Sequence, residues 1–242
     1  MAPDRIAAEA FLAAMRLAIR RTNVYRGHVI SLEPTEHGDI GVRFHRLPGI
    51  PRGGIILPAG VLERIERQTV GFARLGERLK AAGRHLKRGL LLYGPPGTGK
   101  TLTAMYLAGQ MPERTIILLT GQGIGLVEQS CQLARLLQPT TVILEDVDLI
   151  AEERTHQNTG TNALLFELLN QMDGLADDAD VLFLLTTNRP DILEPALAAR
   201  PGRIDWRWRC HSLTPSAAAA SSTCTPRGWP CTRRSRGPGG PD

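Results

Sequence analysis

Nowhere does this sequence string together the eighteen or so apolar residues needed to cross a bilayer. A spanning helix is therefore not expected, and a cytoplasmic location is the default. Cysteine is sparse: four residues, three of them (Cys210, Cys224, Cys231) after position 205, and none forming a CxxC pair. That argues against a disulfide scaffold and against a well-spaced zinc site. Cys210, His211, Cys224 and Cys231 have the right number for tetrahedral zinc but too loose a spacing. The remaining histidines are scattered without a ligand pair, and no internal repeat is visible. Net charge is also missing where it would matter. The formal +5 comes from six Arg and one Asp after position 205, which leaves 23 bases and 23 acids in residues 1–205. A neutral body does not suggest a nucleic-acid-binding face.

What is present reads as a globular α/β chain, with 42% apolar and 22% charged residues. MAPDRIAAEAFLAAMRLAIRR has the pattern of an amphipathic helix rather than a targeting peptide. Short β-like runs around Val24–Leu32 and Ile40–Phe44, with a turn at His37-Gly38-Asp39, predict a small β-rich module within residues 1–59. Val61, Leu62, Ile65, Val70, Phe72, Leu75 and Leu79 recur at helical spacing, with an interruption at Gly71 and a stop at Gly83. Then come four apolar runs, LLLY, TIILL, TVIL and VLFLL, separated by helix-length segments. Such runs predict a parallel sheet covered by helices on both faces. Cys131 falls on an apolar helical face and is expected to be a buried thiol.

GPPGTGKT follows the first of these runs and opens a helix. It comprises Gly94, Pro95, Pro96, Gly97, Thr98, Gly99, Lys100 and Thr101, the Walker A pattern in its required context. Its glycines let backbone N–H groups approach phosphate oxygens, Lys100 reaches the β- and γ-phosphates, and Thr101 offers a hydroxyl to Mg²⁺. Glu145 and Asp146 end the third run, at the sheet edge where the phosphate loop also sits. One can hold Mg²⁺, usually through water, and the other can orient or deprotonate the attacking water. Asp148 is expected to lie farther out. Asn188, after the fourth run, can bond the lytic water or the γ-phosphate. Arg200 and Arg203 flank a Pro-Gly turn and can serve a neighbouring subunit's γ-phosphate.

GPPGTGKT, VILEDVD, LLNQMDGL, LLTTNRPD and ALAARPGRID, in that order, resemble the AAA ATPases over about residues 60–205. The resemblance implies a P-loop NTPase fold, a three-layer α/β/α sandwich with strand order 5-1-4-3-2. It also implies ATP and Mg²⁺ as ligands, a homo-oligomeric ring (usually a hexamer) and a protein substrate. Asn188 matches sensor 1, and Arg200 and Arg203 match the arginine fingers. Some members carry a metalloprotease, but this sequence has no HExxH. Two positions depart from the common pattern. The Walker B strand ends Glu-Asp instead of Asp-Glu, an order that also occurs within the family; by position in that pattern the resemblance implies Glu145 for Mg²⁺ and Asp146 for the base. The pore-loop position reads TGQGIGLVEQS, with Ile124 and Leu126 but no aromatic. ATP hydrolysis coupled to protein remodelling is the leading reading. A catalytically impaired nucleotide-binding or regulatory protein and a nucleic-acid-associated P-loop ATPase are the alternatives.

After Asp205 the resemblance stops. One G/C-rich codon choice for residues 206–228, moved by a single base, translates as LAVEMPLPDAECRRRLLHLYAAG. That is a strand, a turn and the start of a helix, as the family requires. Residues 206–242 are therefore expected to be an out-of-frame, disordered tail, with the last core strand and the helical lid missing. The strand LLLY would then be left at a bare edge. Nucleotide would be bound weakly, and hydrolysis by the shortened form is uncertain.

Overall fold

Successive residues of a strand point to opposite faces, so an apolar run needs cover on both sides. Leu90, Leu92, Ile116, Leu118, Ile143, Leu182 and Leu184 enter one core. Their neighbours Leu91, Ile117, Leu119, Val142, Leu144, Phe183 and Leu185 enter the other. The computed structural model describes residues 7–11, 14, 23–120, 125–148, 163–174, 179–191, 204 and 206–210. All of them belong to one unit, residues 1–212.

Residues 7–11 and 14 are helical. The sheet begins with a hairpin, β1 (Val29–Pro34) and β2 (Ile40–His45), and α1 (Val61–Glu66) follows. A π turn over Arg67–Gly71 leads into α2 (Phe72–Arg74), and α3 (Gly76–Ala81) follows. The expected interruption at Gly71 is thus a widened turn, in which the Thr69 hydroxyl donates to Ile65 O at 2.8 Å. Gly83, at φ +64°, ends α3, with Arg84 N–H donating back to Leu79 O at 2.9 Å. The alternating part follows: β3 (Arg88–Tyr93), α4 (Lys100–Gly109), β4 (Thr115–Leu119), α5 (Val127–Leu136), β5 (Thr140–Leu144), α6 (Ala163–Asp173), β6 (Val181–Thr187) and β7 (Trp206–Arg209). Buried residues of α1 and α4 line one core. Those of α5 and α6 line the other. Cys131 lies in the latter at 1% exposure, and burial pushes its thiol up to about 12.

The seven strands form one sheet in the order β2-β1-β4-β5-β6-β3-β7. Among the described residues only the β1–β2 pair is antiparallel. From β7 to β4 this is the expected 5-1-4-3-2 order. Two expectations are corrected. The hairpin is not confined to a module of residues 1–59, because Val29, Ile30 and Ser31 pair in parallel with Ile116, Ile117 and Leu118 of β4. An apolar strand such as β4 gains from a neighbour on its free side, and β1 supplies one.

The second correction concerns the missing strand. β3 is not bare, since Leu90 faces Trp206 and Tyr93 faces Arg209 across a parallel pairing. The physical reason is that Trp-Arg-Trp-Arg alternates with period two, as an edge strand must. Trp206 and Trp208 are half-buried while Arg207 and Arg209 are exposed. The Arg88 guanidinium lies 4.8 Å from the Phe72 ring centroid and 5.3 Å from that of Trp206. The Trp208 indole N–H donates to Gln68 Oε1 at 3.3 Å. The rest of the expected tail, residues 211–242, and the expected absence of a lid fall outside the described residues.

At the opposite, N-terminal rim of the parallel strands sits Arg114, 4% exposed. Its guanidinium donates to Asp180 Oδ1 at 2.7 Å, Thr141 Oγ1 at 3.0 Å and Thr140 O at 2.6 Å. It thereby ties the starts of β4, β5 and β6 together. Burial lowers the Arg114 pKa, and the Asp180 charge partly offsets that. Among the described residues no helix is long and apolar enough to cross a membrane.

Candidate functional site

The C-terminal ends of β3, β5 and β6 meet in a cavity of about 360 Å³ lined by Pro96, Gly97, Gly99, Lys100, Thr101, Asp146 and Asn188. Three sequence motifs separated by more than forty residues are thus brought to one place. A parallel sheet does this because every strand delivers its C-terminal end to the same rim.

The phosphate loop takes shape from its glycines. Gly97 and Gly99 have φ of +77° and +82°, a region open to glycine at little cost. Gly99 precedes the first turn of α4, which begins at Lys100. Gly94 has a second constraint. Its N–H donates to Thr187 O at 3.3 Å, and Cys210 N–H donates to Tyr93 O at 2.7 Å. The β7 backbone is therefore drawn up against it, and a Cβ on Gly94 would stand 2.1 Å from Cys210 O. Gly94→Ala is expected to lower stability by about 1–3 kcal/mol through overpacking, at φ +149°, and to weaken nucleotide binding as well. A denaturant melt that matches the parent would contradict this.

Lys100 is 5% exposed. Its ammonium donates to Gly94 O at 3.0 Å and Pro95 O at 2.8 Å. The Thr98 hydroxyl also donates to Pro95 O, at 2.8 Å. Cys210 is buried nearby; desolvation pushes its thiol up to about 11, and the Lys100 charge pulls it partly back. Of the four residues weighed for zinc, only Cys210 falls among the described ones.

Glu145, beside Thr101 but not among the residues that line the cavity, donates its N–H to Leu119 O at 3.2 Å. Glu145 Oε1 is buried without a hydrogen-bond partner. Burial raises the Glu145 pKa first and the Asp146 charge raises it further, while the Thr101 hydroxyl bonding to the carboxyl partly offsets both. An orphaned carboxylate oxygen beside a hydroxyl is a hard-oxygen donor set that suits Mg²⁺. A cation there would favour the charged carboxylate and so oppose the effect of burial and of Asp146.

Asp146 adopts φ +47°, where Asp is tolerated better than most residues. Its N–H donates to Thr186 Oγ1 at 3.0 Å, and the Asn188 side-chain amide donates to Asp146 Oδ1 at 3.2 Å. Asp148 is not among the residues that line the cavity. It is 4% exposed and bonds directly to the β6 end, accepting from the Thr187 hydroxyl at 2.8 Å and Asn188 N–H at 3.0 Å. The sequence reading missed this partner of Asn188. A third acid two residues beyond an acidic pair was the available signal. Arg200, Arg203 and Ile124 fall outside the described residues; Leu126 is half-buried just before α5.

The family model described as "ATPase family associated with various cellular activities (AAA)" matches residues 90–211. The chain is similar to the ATP-dependent zinc metalloprotease FtsH of Mycobacterium tuberculosis (strain ATCC 25618 / H37Rv). The two are 37% identical over 161 residues, covering 61% of this chain and 21% of the relative. It is also similar to the proteasome-activating nucleotidase of Thermococcus onnurineus (strain NA1), 38% identical over 175 residues, 59% of this chain and 44% of that one. The nucleotidase of Pyrococcus abyssi (strain GE5 / Orsay) is 40% identical over 130 residues, 49% of this chain and 33% of the relative. The chain thus spans between a fifth and a half of these relatives' lengths. The family match extends over just over half of the 242 residues, from the strand that delivers the phosphate loop to the one that covers it, and on it the chain belongs to the AAA family of ATPases.

Proposed function

We propose that this site binds ATP with Mg²⁺ and hydrolyses it, and that hydrolysis drives the remodelling of a protein substrate by a homo-oligomeric, hexameric ring. The observation that carries the reading is the single cavity shared by Gly97, Gly99, Lys100, Thr101, Asp146 and Asn188. A cationic cradle on one side faces a carboxylate and an amide on the other. Phosphate between them would meet Lys100 and the loop's N–H groups, leaving its far side open to water near Asp146. In this reading Asp146 takes a proton from the water as its oxygen bonds the γ-phosphorus and the bond to the β-phosphate oxygen breaks. Asn188 holds the Asp146 carboxylate in position. Thr101 and Glu145 would hold the magnesium ion, which when bound supplies positive charge to the phosphate oxygens. Arg200 and Arg203 are assigned to a neighbouring subunit's γ-phosphate. The protein substrate is inferred from the names of the relatives, a metalloprotease and a proteasome-activating nucleotidase.

Asp146→Asn tests the assignment. Phosphate release is expected to fall by about 10²–10⁴, the usual worth of a general base, with MgATP affinity retained. Unchanged turnover would transfer the role to Glu145. One observation favours the impaired-enzyme reading: Asp146 is a methylene shorter than the glutamate usual at this position and reaches the cavity from a left-handed backbone. Absent turnover in the parent chain, with MgATP still bound, would select it. The out-of-frame origin of residues 206–242 is likewise our reading, supported by the regrouped translation. The nucleotide sequence across codons 200–210 decides it.

A further inference from the structure

A buried carboxylate is costly unless its oxygens are bonded, so the partners of Asp148 are informative. Its Oδ1 accepts two hydrogen bonds, from the Thr187 hydroxyl at 2.8 Å and from the Asn188 backbone N–H at 3.0 Å. The Thr187 hydroxyl oxygen in turn accepts from Arg189 N–H at 2.9 Å. Two residues earlier in the chain, Asp146 N–H donates to Thr186 Oγ1 and the Asn188 amide donates to Asp146 Oδ1. The paired ladder of β5 and β6 stops at Leu144 and Leu185. Beyond it, these four side-chain bonds join the two loops.

We infer that Asp148 is a positioning residue for water activation: by holding the backbone of Asn188 it fixes the amide that in turn aligns Asp146. The inference rests on the hydrolytic reading of the site. Asp148 is not among the residues that line the cavity, so it acts through its two partners, and of these Asn188 is the one whose side chain reaches Asp146.

The test uses the full chain. Asp148→Ala is expected to lower kcat about tenfold to a hundredfold, the usual cost of misplacing a reacting group by an ångström. KM for ATP should stay within about twofold, because the phosphate cradle is untouched. Asp148→Asn keeps an Oδ1 able to accept both bonds and should stay within about threefold of the parent. In an Asn188→Ala background, Asp148→Ala should add almost nothing, whereas independent roles would multiply. A multiplicative result, or an Asn variant as damaged as the Ala variant, overturns the inference. If the Ala variant does not fold, Thr187→Val removes one of the two donors and should lower kcat about threefold or more with KM unchanged. No loss of kcat there also overturns it. Hydrogen exchange at Asn188 N–H separates this inference from the hydrolytic reading. A parent chain without turnover sinks the reading. An Asn188 N–H that exchanges as fast in the parent as in Asp148→Ala sinks the positioning role.

Discussion

Lys100→Ala should abolish measurable MgATP binding in calorimetry and cut phosphate release by a factor on the order of 10²–10³, the loss seen when one charge-stabilising donor is removed. The ammonium carries three N–H donors, and among the described residues it uses two, on Gly94 O and Pro95 O. The third is available to a ligand in the cavity. At an effective dielectric of 20, a phosphate oxygen 4 Å away is worth about 4 kcal/mol, roughly a thousandfold in affinity before desolvation is charged against it. The side chain is already buried, so most of its desolvation has been met in folding. Lys100→Met separates charge from volume, because it fills the space without the cation. Lys100→Arg should rescue poorly, since a planar fork cannot occupy a slot shaped for a point charge. Parent-like ATP affinity in both the Ala and Met variants would remove the basis for the proposed function.

Arg114→Met is expected to have the largest effect on folding and little on chemistry. Removing one partner of a buried ion pair costs about 3–5 kcal/mol. The lower end applies here, because Asp180 is 20% exposed and can be partly solvated. The variant also loses the bonds to Thr140 O and Thr141 Oγ1, both buried. A urea melt should show the midpoint falling with an unchanged slope, and MgATP affinity below the transition should be parental. Asp180→Asn added to Arg114→Met should recover part of the loss by discharging the stranded carboxylate. A stability loss under about 1 kcal/mol, taken as the midpoint shift times the slope, would mean that water replaces the guanidinium without penalty.

The phosphate loop could be read from sequence because its constraints are local. Glycine spacing, Lys100 and Thr101 lie within eight residues and admit few other uses. The core strands were legible for the same reason: a strand buried on both faces reads as a near-continuous apolar run, here with threonines confined to its ends. Asp148 was not, because its partners Thr187 and Asn188 lie about forty residues away and only the fold reveals the pairing. Arg114, between Glu113 and Thr115, reads as an ordinary surface residue until three strand starts converge on it. The hairpin strands were visible as apolar runs, but which strand they join is not written in their own residues. At Trp206–Arg209 the unusual composition concealed a plain two-residue period.

The hairpin carries a practical consequence. A recombinant fragment beginning at residue 60, where the motif-bearing part starts, would discard Val29–Ser31 and strip β4 of its outer partner. Ile116 and Leu118 would then stand at an open rim that invites cross-chain aggregation. Expression boundaries for this ATPase core therefore belong upstream of Val29.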